Sequence, residues 1–466
     1  MSWLQHSLSD LSQALREGRV TAEQLTQACL DRYEQYEPAV HAYQAWAGDA
    51  ALEQARAVDA LFATRVDLGP LMGIPVSVKD LFGVPGLPTY AGTTSRLPEA
   101  WEQSGDIVQA LLAQLAIVTG KSHTVEFAFS GIGINNHWDT PVNPWDARNV
   151  RIPGGSSSGA GVSLVQGSAL LALGTDTAGS VRIPASLTGT VGLKLSASRW
   201  LMNGSVPLST TLDSPGILTR TVEDAIFGFQ AIERSMWGQA PAISVPASLG
   251  AFKIGVPRNF FWEGVDTVVA DAVQAAMQKL GSHGAQLQDM TLPGCDEVYA
   301  MFQAGGLAAS ELSAFLHTHM PEKIDQLDPM IRLRIEGAES ISSVDYLRRC
   351  ALVEKVSADA AELFNDYDVL LAPTIAIEAP TVSSLQEDID VYRQANMMVL
   401  RNTSIGNLMG LSGISIPVGK DSHGVPVGMQ LMAGPGKEEV LLAAAALMEK
   451  ALGTPASILG TSPVCP

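Results

Sequence analysis

A chain of 466 residues with 46% apolar side chains and a mean hydropathy of +0.16 can bury a large core, as one big domain or two closely packed ones, which argues against a disordered or fibrous protein. Lysine and arginine total 29 against 48 aspartates and glutamates, and the resulting net charge of −19 repels polyanions and argues against nucleic acid as the primary substrate. The four cysteines (Cys29, Cys295, Cys350, Cys465) have neither zinc-site spacing nor the density of a disulfide framework, which fits a reducing cytoplasm.

The opening stretch MSWLQHSLSDLSQALREG lacks a basic segment followed by an apolar one, so it reads as an amphipathic helix ending near Gly18, with no export implied. Thr21 followed by Gln24 is a capping-box pattern for a helix with apolar positions at Leu25, Cys29, Leu30 and Tyr33, and the first 65 residues are expected to be helical. The β-rich run 74–78 then predicts a strand with Lys79 at its end. Ile107, Leu111, Leu112 and Leu115 mark a helix and 116–119 a strand, an αβ step of a layered α/β fold. From 131 to 161 the composition turns to Gly, Asn, Pro, Trp and Ser, and such a long irregular segment is often a functional one.

Beyond it, 162–166 reads as helix, 170–173 as a buried strand and 174–194 as a second glycine-rich loop region. The stretch 162–173 is the most apolar, but Ser163, Gln166, Gly167 and Ser168 interrupt it, and no run reaches the roughly 18 residues of a membrane span. After a Pro, Ala and Ser-rich boundary at about 230–250, a strand (AFKIGVP), an amphipathic helix (268–280) and a strand (285–290) follow. Much of 295–366 is expected to be helical, and DYDVLLAPT a strand.

The chemistry concentrates in two clusters, GGSSSGAG at 154–161 and GTDTAGS at 174–180, whose glycines let backbone approach a ligand closely. Neither contains the lysine-bearing phosphate loop GxxxxGK[ST]. GSSSG at 155–159 satisfies GxSxG and would make Ser157 the nucleophile of an α/β-hydrolase, with His423 as a late histidine. That elbow needs a strand directly before it, whereas Arg151-Ile152-Pro153-Gly154 is a poor strand end, and His423 lies in KDSHGVP, a hairpin-tip sequence.

Lys79 in GIPVSVKD, then NPWDARNVRIPGGSSSG, GTDTAGSVRIPA, LDSPGILTRTVEDA, DVLLAPT and PVGMQLM resemble the amidase-signature family in order and over most of the chain. The matched serines, Ser156 and Ser180, stand 24 positions apart as in the family. The resemblance implies an α/β fold with a large mixed β-sheet core flanked by helices on both faces. It implies three stretches: an N-terminal helical segment 1–65, a signature core 66–235 with the catalytic loops, and a C-terminal α/β part 245–466 completing the same sheet and pocket. Carried onto this sequence, it makes Ser180 the nucleophile, Ser156 the bridging serine and Lys79 the general base. The oxyanion would be held by the backbone of Thr177, Ala178, Gly179 and Ser180. A lysine base neutral near pH 7 requires its pKa to fall by roughly 3, about 4–5 kcal/mol, through burial and hydrogen bonds. Family members carry a cis peptide before the bridging serine, here Gly155–Ser156. Ser158, Ala160 and Ala178 depart from the family pattern, and a demand for φ > 0 at 158 or 178 would add strain there.

Phe129, Ser130, Ser157 and Arg401 are the candidate substrate contacts. Arg401, if it points inward, would favour a substrate bearing a carboxylate or a polarised carbonyl near the scissile amide. Asp176 and Arg182 are expected to brace the nucleophile turn, Trp138, Trp145 and Trp200 to pack or to wall the pocket, and His137 to be a loop hydrogen-bonder. The expected activity is hydrolysis of a small carboxamide or urea-like amide through a Ser180 acyl-enzyme, with no cofactor, metal, nucleic acid or membrane partner. The expected location is the cytoplasm, and a homodimer is allowed. The alternative is the glutamine-hydrolysing subunit of a tRNA-dependent amidotransferase complex.

Overall fold

Ser7 accepts a hydrogen bond from the Asp10 amide and opens the helix Leu8–Arg16, which buries Leu8, Leu11 and Leu15 and stops before Gly18 at φ 67°. The computed structural model describes residues 3–466. Thr21 and Gln24 close a reciprocal capping box on the helix Ala22–Val40. The stretch 1–65 is not helical throughout. It contains the strand β1 (Tyr43–Trp46), too short for a period-two signal, whose neighbour in the sheet lies more than 70 residues downstream.

The remaining strands are β2 (Pro75–Lys79), β3 (Ile117–Ser122), β4 (Leu171–Asp176), β5 (Val191–Lys194), β6 (Ser214–Thr219), β7 (Lys253–Pro257), β8 (Gln286–Met290), β9 (Val369–Pro373), β10 (Ser412–Lys420) and β11 (Pro426–Ala433). They form one mixed 11-stranded sheet in the order β1-β3-β2-β4-β6-β5-β10-β11-β9-β7-β8. β2 and β4 are buried along their whole length, which explains their continuous apolar runs. They pair in parallel, with Val78 opposite Leu173, so Lys79 and the end of β4 emerge at the same edge. Ligands in open α/β sheets bind outside such carboxyl ends.

The region 174–194, expected to be loop, contains the helix Arg182–Thr188 and β5. Every residue of that helix is buried, so it has no polar face to give a 3.6-residue pattern. The segment 131–157 is irregular and largely buried, and asparagines satisfy its backbone. Asn135 Nδ2 donates to the Gly92 and Thr124 carbonyls, and Asn143 Nδ2 to those of Ile152 and Leu187. The helix Ser158–Gln166 follows at once. Residues 295–363 fold into the helices Cys295–Gln303, Ala308–His319, Pro329–Glu339 and Ser343–Leu363, which supply two apolar clusters apart from the main core. No helix among the described residues is long and apolar enough to cross a membrane.

Candidate active site

Lys79 closes β2 with its side chain fully buried, and its Nζ lies 2.7 Å from Ser156 Oγ and 2.8 Å from Thr175 Oγ1 at the end of β4. Burial pushes the Lys79 pKa down to about 7, against the opposing pull of the Asp213 and Asp176 carboxylates. A neutral amine keeps a lone pair that can accept the Ser156 proton.

Ser156 is fully buried, and the Gly155–Ser156 peptide is cis. No strand precedes it, so the α/β-hydrolase elbow is absent, and His423 sits exposed at the tip of the β10–β11 hairpin. The Ser157 amide donates to the Ser180 carbonyl at 3.2 Å, which joins the two glycine-rich turns. The Ser157 hydroxyl donates to the Thr175 carbonyl and lies outside the cavity, away from the substrate contact expected for it.

The turn bearing Ser180 is braced from within. Asp176 accepts from the Gly179 amide at 2.7 Å and the Val181 amide at 3.2 Å, and pairs with Arg182 at 3.1 Å with both side chains fully buried. Burial pushes the Asp176 carboxyl up, but Arg182, Lys194 and Asn407 together outweigh it and hold the group at about 2. Arg182 donates further to Gln430 Oε1, the Thr403 carbonyl and Asn407 Oδ1. Removing one partner of such a pair strands the other charge, so Arg182→Ala is expected to cost about 3–5 kcal/mol of stability, read as a lowered Tm; an unchanged Tm contradicts the bracing role.

Because the Gly179 amide is committed to Asp176, it is not free to hold an oxyanion as expected. The amides of Thr177, Ala178 and Ser180 make no hydrogen bond of their own among the described residues. Gly179 sits at φ 133°, and a Cβ there would collide with Thr403 Oγ1, so this position requires glycine. Neither Ser158 nor Ala178 has a positive φ, so the departures there carry no left-handed strain. Thr177 Oγ1 donates to Asp213 Oδ1 at 2.6 Å, and burial lifts the Asp213 pKa to about 6.

Ser180 opens into a narrow cavity with about 40 Å³ of free space. Thr177, Ala178, Phe129 and Ser130 line it, with Leu208, Leu212 and the Phe302–Ala308 connection forming apolar walls. Phe127 and Ala128, both with positive φ, turn Phe129 and Ser130 inward. Ser130 Oγ donates to Asn396 Oδ1 at 3.0 Å and is 2.7 Å from the Tyr392 hydroxyl. Arg401 does not reach the cavity. Its guanidinium lies 4.0 Å from the Phe260 ring centroid and 3.8 Å from Glu263. Arg334, which sequence reasoning passed over, lines the cavity instead.

Trp138, Trp145 and Trp200 pack outside the cavity, their indole N–H groups donating to the Thr93 carbonyl, the Thr188 carbonyl and Glu233 Oε1. His137 Nε2 is 3.0 Å from Glu126 Oε1, a loop contact. No group of three or more His, Cys, Asp or Glu side chains suited to a metal ion occurs among the described residues.

The matches to known proteins mark the chain as a hydrolase of C–N bonds. The chain belongs to the amidase family, whose model, described as Amidase, matches residues 24–442. It is 50% identical to a 2-amino-5-chloromuconic acid deaminase of Comamonas testosteroni, over 97% of this chain and 98% of that protein. It is 34% identical to a glutamyl-tRNA(Gln) amidotransferase component of Nitratidesulfovibrio vulgaris (strain DP4), over 97% and 98%. A solved amidase structure at 27% identity superposes with a TM-score of 0.85, covering 96% of this chain and 100% of its own.

Proposed function

We propose that the chain hydrolyses the C–N bond of a small amide through an acyl-enzyme on Ser180. The observation that carries this reading is the buried contact of Lys79 Nζ with Ser156 Oγ at 2.7 Å, in surroundings that bring the lysine to about 7. Neutral Lys79 takes the Ser156 proton while Ser156 takes that of Ser180, whose Oγ bonds to the carbonyl carbon. The oxyanion faces the amides of Thr177, Ala178 and Ser180, and losing one such donor costs about 2.7–4 kcal/mol in the barrier. Collapse breaks the C–N bond as the relay returns the proton to the leaving nitrogen. Water, deprotonated by the same relay, then cleaves the ester to release the acid.

The relative at 50% identity is named as a deaminase of a small organic acid, and the amidotransferase components match at 34% identity or less, which favours a small-molecule hydrolase acting on its own. Ammonia release by the isolated chain from aliphatic, aromatic, peptide and ureido amides tests this, and turnover only after adding the other amidotransferase components would favour the alternative. The cysteines are all unpaired, which accords with a reducing, cytoplasmic setting.

The base must be neutral to act. Activity is therefore present above the Lys79 pKa and lost as pH falls through it, so kcat/KM on a non-ionising amide is expected to show an acid limb near pH 7. A profile flat from pH 6 to 8 would contradict the assignment.

A further inference from the structure

We propose that Arg334 anchors a carboxylate of the substrate, so that the amide presented to Ser180 belongs to a small organic anion. This deepens the amidase reading and rests on it. Arg334 stands on the helix Pro329–Glu339 and lines the same cavity as Ser180. Its guanidinium stacks 3.7 Å from the Phe129 ring centroid, and Nη1 donates to the Phe129 carbonyl.

Two contacts fix the plane of the guanidinium and leave its other N–H groups without a protein acceptor among the described residues. No carboxylate lies within ion-pair distance of Arg334 among them, whereas Arg332 on the same helix pairs with Glu336 and Asp325. None of the residues that line the cavity is acidic, and Arg334 is its one cation among the described residues. Burial pushes the Arg334 pKa down to about 10, so the group stays charged at neutral pH.

An oriented guanidinium with no carboxylate partner is matched by a planar anion that can take two parallel N–H bonds, and a carboxylate has that shape. The rest of the lining is largely apolar: Phe129, Leu208, Leu212, Phe302, Leu307 and Leu400 suit a short hydrocarbon spacer. In a chain of net charge −19 this lone cation reverses the local field. The substrate class is thus the amide whose acyl chain ends in a carboxylate, such as a dicarboxylic acid monoamide.

The test reads binding apart from turnover. Calorimetry on the Ser180→Ala protein compares monoamides of three- to six-carbon dicarboxylic acids with uncharged fatty amides of the same length. At least one carboxylated member is expected to bind about tenfold or more tightly than its neutral partner. The preference should vanish in Ser180→Ala/Arg334→Gln and persist in weakened form in Ser180→Ala/Arg334→Lys, whose ammonium keeps the charge and loses the fork. Equal binding of charged and neutral amides to Ser180→Ala, no binding of either, or a preference that survives Arg334→Gln overturns the proposal. If the lysine variant loses the preference while its Tm and neutral-amide binding are unchanged, the fork geometry is essential. If its neutral-amide binding is lost as well, Arg334 is a clamp and the proposal fails. Failure of the Ser180 acyl-enzyme itself would instead appear as undiminished ammonia release by Ser180→Ala.

Discussion

Ser180→Ala is expected to abolish amide hydrolysis, with a loss on the order of 10⁶-fold in kcat, the scale seen when the nucleophile of a serine hydrolase is deleted. The effect should fall on kcat with little change in substrate binding, because Ser180 contributes one hydroxyl to a cavity bounded mainly by other side chains. The fold should be untouched, since Ser180 holds its neighbours through its carbonyl, which accepts from Ser157, and not through its hydroxyl. Single-turnover assays with a chromogenic anilide check this. Residual activity above about 1% of the parent would move the nucleophile elsewhere.

Lys79→Met is the second large effect. Methionine fills a similar volume with no amine, so kcat/KM at pH 7 is expected to fall by about 10²–10⁴-fold, the usual range for a general base. The fully buried position is at present occupied by a poorly solvated amine that touches two hydroxyls, so an apolar replacement should not unfold the chain. The diagnostic feature is the pH profile: the acid limb near 7 should disappear with the amine. A variant that keeps that limb would show that another group sets it, and near-parent turnover would remove Lys79 from the role of base. Asp213, whose carboxylate pulls the Lys79 pKa upward, is the first place to look for such a group.

The site residues differ in how far they could be read before folding. Lys79, Ser156 and Ser180 were legible because strand ends and glycine-rich turns are local, and their order along the chain is itself a pattern. The brace between Asp176 and Arg182 was legible for the same reason, being six residues long. Arg334 was not. It sits in PMIRLRIEGAE beside Arg332, Glu336 and Glu339, as charges sit on any solvated helix, and its partner Phe129 is 205 residues away. Arg401 shows the converse: a suggestive position in sequence, turned by the fold toward Phe260.

The fold shows the same division. β2, β3, β4, β7 and β9 announce themselves as short apolar runs, whereas the helix Arg182–Thr188 is buried on every side and carries no periodicity. Glycine patterns were informative about approach and less so about conformation. The family departures at Ser158 and Ala178 fall where φ is negative, and the left-handed demand lies at Gly179, which the chain keeps. Thr175 and Asp213 lie inside the quoted motifs, but their side chains meet the site through contacts that span strands or loops, so their roles could not be read from the sequence around them.

The most direct test of the central claim is covalent labelling of the parent protein with phenylmethanesulfonyl fluoride, followed by peptide mapping. Ser180 Oγ displaces fluoride to form a stable sulfonate ester, so a single adduct is expected on the peptide holding Ser180, absent in Ser180→Ala and slowed in Lys79→Met. An adduct on Ser157 with Ser180→Ala still active would contradict the account.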